Sequence, residues 1–348
     1  MTIRIALDAM GGDKAPAAPI EGAVLALGQH PGCAFTLVGQ PEVIATELAR
    51  IGADPGRFVI HPASEVVGMA EKPSVALRTK KDSSMRVGAN LVKSGVADAF
   101  VSSGNTGALM ATARYVLKTL PGVDRPAIMA VMPSITGQTL MLDVGANVDC
   151  SADHLCQFAL MGKVYASAVM GLKKPRIGLL NIGEEEIKGN EVVKEAGERL
   201  KADGGDGYIG NVEASEIFAG GVDVVVCDGF VGNVTLKTIE GMARMLTHFL
   251  KESFGASVWT KLGYLAARPA MTSFRSRVDP RKYNGAILLG LNGIVVKSHG
   301  GADPYAFSRA IGVAVDLAAN RVNEKIRRDI AAHAGVSAGN GGEQACPG

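Results

Sequence analysis

The sequence predicts a three-layer α/β/α sandwich with a mostly parallel, mixed sheet, plus a protruding helical hairpin. Three observations carry that prediction. Eleven short runs rich in branched apolar residues alternate with helical segments, an order that builds a sheet with helices on both faces. Most of the runs are apolar almost without interruption, as strands covered on both faces are. Two pairs of runs, 127–133 with 139–145 and 286–290 with 293–298, have connections too short for a helical crossover. They are hairpins, so the sheet is mixed.

In order, the strands fall at 3–9 (IRIALDA), 35–39 (FTLVG), 57–62 (RFVIHP), 98–104 (DAFVSSG), 127–133 (AIMAVMP), 139–145 (TLMLDVG), 176–183 (RIGLLNIG), 208–212 (YIGNV), 222–229 (VDVVVCDG), 286–290 (AILLG) and 293–298 (GIVVKS). Helical patterns occupy 16–28, 41–50, 84–94, 106–118, 151–170, 190–202, 233–252 and 304–328. No internal repeat or long linker divides them, so residues 1–330 read as one catalytic-sized domain with a helical extension at about 242–282. Residues 331–348 are Gly-, Ala- and Ser-rich without a period and are expected to be a disordered tail.

Composition narrows the function classes. With 47% hydrophobic and 20% charged residues, the chain can bury a real core. A net charge of +2 gives no whole-molecule field for nucleic acid. Cys33, Cys150, Cys156, Cys227 and Cys346 form neither a CxxC pair nor a zinc-ligand spacing. They read as reduced packing residues of a cytosolic protein. The start, MTIRIALDAM, is too short and too acidic for a signal peptide. No uncharged apolar run reaches the roughly 18–20 residues of a membrane span.

Six loops at strand ends share a texture of glycine with small polar side chains: DAMGGD (8–13), SSGNTGA (102–108), DVGAN (143–147), NIGEEEIKGN (181–190), CDGFVGN (227–233) and KSHGGAD (297–303). In open α/β sheets ligands bind at the carboxyl ends of strands. Six such loops at one edge would make a crevice of backbone N–H groups and helix N-termini, which is an anion site.

Other machinery is missing. The GxGxxG at Gly205–Gly210 follows a charged helix and contains a strand, the reverse of the dinucleotide fingerprint. There is no GxxxxGK[ST], GxSxG or HExxH. Among single residues, Lys188 lies beside a glycine in a strand-end loop, where an ammonium would meet a phosphate. Asn233 reads as the cap of the helix that follows it and would stand beside any anion bound there. His299, between GIVVKS and Gly300-Gly301, is either a site residue or a loop anchor. Residues 71–92 gather Arg78, Lys80, Lys81 and Arg86 around Ser83 and Ser84. They are a solvated helix face or a source of cations; Lys80 is read as solvated.

The extension is a separate signal. Met242, Met245, Leu246, Phe249 and Leu250 follow helical spacing, and Phe254, Val258, Trp259, Leu262 and Leu265 continue the apolar stripe until Pro269. Lys251, Lys261, Arg268, Arg275, Arg277, Arg281 and Lys282 face only Glu252 and Asp279 as opposing charge. A basic, Trp-containing segment suits an anionic surface, either lipid headgroups or an acidic protein. A dimer interface is the competing use of its apolar face.

DAMGGD, EKPSVALRTKKDSSM, SSGNTGALMA, LDVGAN, EEEIKGN, YIGNVEA, CDGFVGN and HGGAD, in that order from about residue 3 to 325, together resemble the phosphate acyltransferases of bacterial phospholipid synthesis. The resemblance implies that acyl-[acyl-carrier-protein] and inorganic phosphate give acyl phosphate, which a membrane glycerol-3-phosphate acyltransferase consumes. It also implies a cytosolic homodimer without metal or organic cofactor, in peripheral contact with the membrane, and a fold related to phosphotransacetylases. Phosphate is its own nucleophile, which accounts for the missing triad; the protein must position it and stabilise an oxyanion. On this reading Lys188 neutralises charge and Asn233 donates to the oxyanion. Ser103, Asn105 and Thr106 cradle phosphate with the amides of Gly11, Gly12 and Gly104. Asp8, Asp143 and His299 either order the cradle or move a proton, with Asp13 and Asn147 beside them. Lys261, Arg268, Arg275, Arg277, Arg281 and Lys282, with Trp259 and Leu262, would meet carrier protein or membrane. The alternatives are a phosphotransacetylase-like enzyme using acyl-CoA, or a sensor that binds a phosphorylated ligand without turnover.

Overall fold

The computed structural model describes residues 2–202, 205 and 207–340. All eleven expected strands form: β1 (Ile3–Asp8), β2 (Cys33–Gly39), β3 (Phe58–Pro62), β4 (Ala99–Ser102), β5 (Ala127–Ser134), β6 (Gly137–Leu142), β7 (Ile177–Leu180), β8 (Tyr208–Val212), β9 (Val224–Val226), β10 (Ala286–Leu289) and β11 (Ile294–Lys297). They make one sheet in the order β3-β2-β1-β4-β11-β10-β5-β6-β9-β7-β8.

The helices are α1 (Ala17–Gln29), α2 (Pro41–Arg50), α3 (Pro73–Thr79), α4 (Ser84–Lys93), α5 (Thr106–Leu117), α6 (Ala152–Ala168), α7 (Glu191–Ala202), α8 (Glu216–Ala219), α9 (Gly229–Gly255), α10 (Val258–Ala266), α11 (Arg268–Val278), α12 (Pro304–Ala319) and α13 (Val322–Asn340). Alternation along each strand sorts the core into two layers. Ile5 and Leu7 belong to the layer that α1, α2, α6, α12 and α13 cover, whereas Ala6 belongs to the layer that α3, α4, α5 and α8 cover, with Leu236 and Ile239 of α9 against the same layer. The three-layer sandwich is therefore as expected.

Two boundaries differ. The helix expected at 304–328 is two, because Arg321 takes a positive φ of 52° at the break between α12 and α13. The chain beyond 330 does not leave the fold at that point: α13 continues to Asn340, anchored by Val322, Ile326 and Ile330 in the core. The rest of the expected tail, 341–348, lies outside the described residues, as does Asp206 of the GxGxxG.

Strand direction corrects a larger expectation. β1, β2, β3, β4 and β11 are mutually parallel. β10 opposes both β11 and β5, and β6 opposes β5. β9, β7 and β8 are parallel to β6. The β5–β6 hairpin therefore reverses the second half of the sheet. Loops after β1, β4 and β11 leave at one edge; loops after β6, β9 and β7 leave at the other. The six glycine loops form two groups, not one row.

Candidate functional site

Because β1, β4 and β11 are neighbours, the loops after them stand side by side. Buried polarity concentrates there: Asp8, Ser102, Ser103, Lys297 and Ser298 are all buried at these three strand ends. Asp8 Oδ2 accepts the Ser102 hydroxyl at 2.6 Å, and Oδ1 accepts the Met10 amide at 3.1 Å. Ser102 Oγ in turn accepts the Gly104 amide at 3.0 Å. Ser103 Oγ donates to the Gly11 carbonyl at 2.7 Å, and the Asp13 amide to the Gly300 carbonyl at 2.8 Å. Three loops are thus tied into one unit. Burial pushes the Asp8 carboxyl up, opposed by the Ser102 and Ser84 hydroxyls and the Met10 and Gly11 amides. Asp8 is an organiser of the loop.

The glycines follow from this packing. A Cβ on Gly11 would lie 2.4 Å from Asp8 Oδ2 and 2.9 Å from Gly104 N, and Gly12 has a φ of +103° with Ser103 Oγ 2.7 Å from where its Cβ would be. Only glycine lets the loops approach so closely. Asp13 itself is exposed.

The cation of this unit is a residue that the sequence reading missed. Lys297, the last residue of β11, is only 7% exposed. Its Nζ donates to the Ser298 carbonyl and, at 3.4 Å, to the Ser103 carbonyl. Burial lowers its pKa from the ordinary 10.5 to about 8, with Lys237 acting in the same direction and Asp8 and Asp13 opposing. The available signal was a lysine closing an otherwise apolar β-branched run, GIVVKS, in register with Ser102.

Asn105 caps α5, its Oδ1 accepting the Ala108 amide at 3.0 Å, and its Nδ2 donates to the carbonyls of Met69 and Glu71 at 2.7 and 3.0 Å. Its side chain is spent on the fold. Thr106 is exposed at the first turn of α5. Lys80 is not solvated as expected: it pairs with Glu71 at 2.7 Å and also donates to the Val66 carbonyl. Arg86 lies 4.5 Å from the Tyr115 ring centroid.

At the opposite edge, Asp143 is fully buried. Oδ1 accepts the amides of Ile128, Gly145 and Ala146 at 3.0, 3.1 and 3.0 Å. Oδ2 accepts the Asn147 amide at 2.7 Å and its side-chain Nδ2 at 2.9 Å. Burial pushes this carboxyl up and the N–H donors pull it back. Asn147 Nδ2 also donates to the Pro126 carbonyl at 2.8 Å. Both residues order the 143–147 loop.

α9 starts on that loop. Its cap is Asp228, whose side chain accepts the Val231 amide at 2.9 Å, so Asn233 is not a cap but lies inside the helix. A Cβ on Gly232 would sit 1.8 Å from the Asp143 carbonyl oxygen, so the glycines that read as loop let the helix start early and lie close. Asn233 is exposed next to Gly145, 3.6 Å from the position a Cβ would take there. Lys237 is one turn further on the same side of α9, about 6 Å along its axis, and lies within electrostatic reach of Lys297. α9 therefore spans the two loop groups.

Lys188 is exposed in the loop after β7, its carbonyl held by Asn181 Nδ2 at 3.1 Å. Among the described residues, no hydrogen bond or ion pair joins its side chain to Asn233 or to the Asp8–Lys297 unit. His299 is exposed, and its Nδ1 accepts the Gly301 amide at 3.1 Å, which makes it a loop anchor.

The extension is built from three helices: the far half of α9, then α10, then α11, with Pro269 in its first turn. Trp259 is 82% exposed and Leu262 51%. The extension lines an open apolar pocket of about 460 Å³ with Leu250, Phe254, Tyr264, Leu265, Met271 and Phe274, beside Lys251 and Lys261. Arg268 opens α11 and Arg277 is exposed near its end; the Arg275 side chain lies outside the described residues. Arg281 is not free for a partner. It pairs with Asp279 at 2.7 Å and Asp303 at 2.9 Å and stacks over Tyr305. Lys282 lines a different recess, with Tyr165, Tyr283, Arg309 and Asp316.

A family model described as "Fatty acid synthesis protein" matches residues 3–325. A phosphate acyltransferase of Magnetococcus marinus is 63% identical over 336 residues, 95% of this chain and 96% of that one. One from Alkalilimnicola ehrlichii is 58% identical over 90% and 92%. Among solved structures, a phosphotransacetylase from Streptococcus pyogenes has a TM-score of 0.61 at 18% identity, covering 91% of this chain and 94% of that one. A branched-chain phosphotransacylase from Enterococcus faecalis gives 0.54 at 12%, covering 91% and 99%. These structures share the fold.

Proposed function

The chain belongs to the phosphate acyltransferase family and transfers an acyl group to phosphate, and from that premise we propose that its donor is a long-chain acyl-[acyl-carrier-protein]. The phosphate oxygen attacks the thioester carbonyl, the tetrahedral intermediate expels the carrier thiolate, and acyl phosphate leaves. A membrane glycerol-3-phosphate acyltransferase then consumes it. The observation that carries direct attack is the state of the thiols. Burial raises Cys33, raises Cys150 to about 11 and raises Cys227 well beyond the ordinary range. None of these three is a thiolate near neutral pH, so none is an activated nucleophile. Phosphate needs no such residue, only positioning and charge stabilisation.

The Ser103–Thr106 and 8–13 loops are the phosphate side of the site. Asn233, on the exposed face of α9, donates to the oxyanion, and Lys188 supplies charge from the β7 loop. Asp8, Asp143, Asn147 and Asn105 hold loops and do not touch substrate; His299 does likewise, and Asp13 ties its loop to Gly300 through its backbone amide. The exposed apolar and basic helices of the extension suit a homodimer seam and peripheral contact with an anionic membrane. Sedimentation as a monomer would remove the dimer.

Thiol release from acyl-carrier protein and from acyl-CoA, each with and without phosphate, tests the donor. Phosphate-dependent release should favour the carrier protein, and Lys188→Ala should slow it by at least 100-fold with the fold intact. Preference for acyl-CoA would instead make the enzyme phosphotransacetylase-like, and near-normal Lys188→Ala turnover would remove that lysine from the reaction.

A further inference from the structure

Lys297 is the one lysine or arginine among the buried described residues. Its Nζ meets two backbone carbonyls, which orient an ammonium but carry no net charge. Among the described residues no carboxylate comes within 4 Å of it to form an ion pair. Asp8 and Asp13 act on it only through the field. A buried charge without a contact counter-ion is costly, and folds keep such groups where a ligand completes them. The location fits an anion. Lys297 stands between the glycine loop of β1 and the SSGNTG turn that opens α5, in register with Ser102, and Lys237 of α9, itself paired with Glu240 at 2.9 Å, lies within its field.

We propose that Lys297 is a phosphate-contacting residue of this enzyme, its ammonium closing the phosphate side of the site. This rests on the acyl-to-phosphate reading above and assigns the buried charge for it. Tying Ser103 and Ser298 together through their carbonyls also fixes the loop that presents the α5 N-terminus to the same anion. The charged and titratable groups that face Lys297 are Asp8 on β1, Asp13 in the following loop and Lys237 on α9, with His299 two residues along its own chain. Phosphate bound there adds negative charge beside the ammonium and so favours its protonated form.

The experiment is steady-state thiol release with wild type and Lys297→Met against phosphate concentration, from pH 6.5 to 9.5. The expected result is a KM for phosphate at least 10-fold higher in Lys297→Met. Wild type should also lose phosphate affinity above about pH 8, a limb missing from the variant; titration of phosphate itself is common to both. A KM within twofold of wild type and an unchanged alkaline limb would overturn the proposal. Should Lys297→Met not fold, lysine-13Cε NMR of the wild type with inorganic phosphate decides. One depressed lysine titration that moves up on adding phosphate supports the assignment, and one that ignores phosphate overturns it. If wild type itself shows no phosphate-dependent release, the functional reading fails; if it does and the variant matches it, only Lys297 is removed.

Discussion

Asp8 and Lys297 divide between them what the opening DAMGGD run suggests. An acid directly on a phosphate would repel it. Asp8 instead receives Ser102 and the Met10 amide, and its field lies on Lys297. The acid was legible in the sequence, but its partner was not, because a lysine at a strand end reads as a solvated charge until the neighbouring loops are folded over it. A stability consequence follows for Lys297. Its pKa falls from 10.5 to about 8 in the fold, so between those values the unfolded chain binds more protons than the native one and stability rises with pH. The interval corresponds to roughly 3 kcal/mol. Unfolding measurements from pH 7 to 10.5 should show wild type gaining on Lys297→Met by up to about that amount; a flat difference would mean that Lys297 is not depressed in the fold.

Among elements, α9 is where sequence and structure part most usefully. Gly229 and Gly232 read as loop, yet both are helical, since a side chain at either would collide with the 143–147 loop. That early start places Asn233 in the helix, and on α9 it shares a side with Lys237. The far half of α9, with α10 and α11, leaves Met242, Phe249, Val258 and Trp259 at least half exposed. An apolar stripe flanked by cations suits an anionic lipid surface, at about 1 kcal/mol per basic residue near the headgroups. Reversing Lys261, Arg268 and Arg277 together to Glu should therefore weaken binding to phosphatidylglycerol vesicles by more than tenfold without raising the KM for the carrier protein. The opposite pattern would assign the patch to the carrier protein. Arg281 is left out of that set because Asp279 and Asp303 already hold it.

For the whole molecule, local pattern was enough to locate every strand, because buried parallel strands are short apolar runs bounded by glycine. The two hairpins were legible as well. Their consequence was not: sheet order decides which strand ends share an edge, and order is set by packing between residues far apart in sequence. Met129 against Ile287 on one side and Leu142 on the other is what turns the second half of the sheet around. The glycine loops accordingly gather as Asp8–Ser103–Lys297 and Asp143–Asn147–Asp228, with α9 crossing between them. On the reading proposed above, such a molecule holds phosphate and acyl donor in place without lending a nucleophile of its own. The most direct measurement of that claim is a phosphate-free single turnover with stoichiometric acyl-carrier protein, followed by intact-protein mass spectrometry. The account predicts no thiol release and an unchanged protein mass until phosphate is added, then one equivalent each of thiol and acyl phosphate. An equivalent of thiol released before phosphate, with the acyl mass found on the protein, would contradict it.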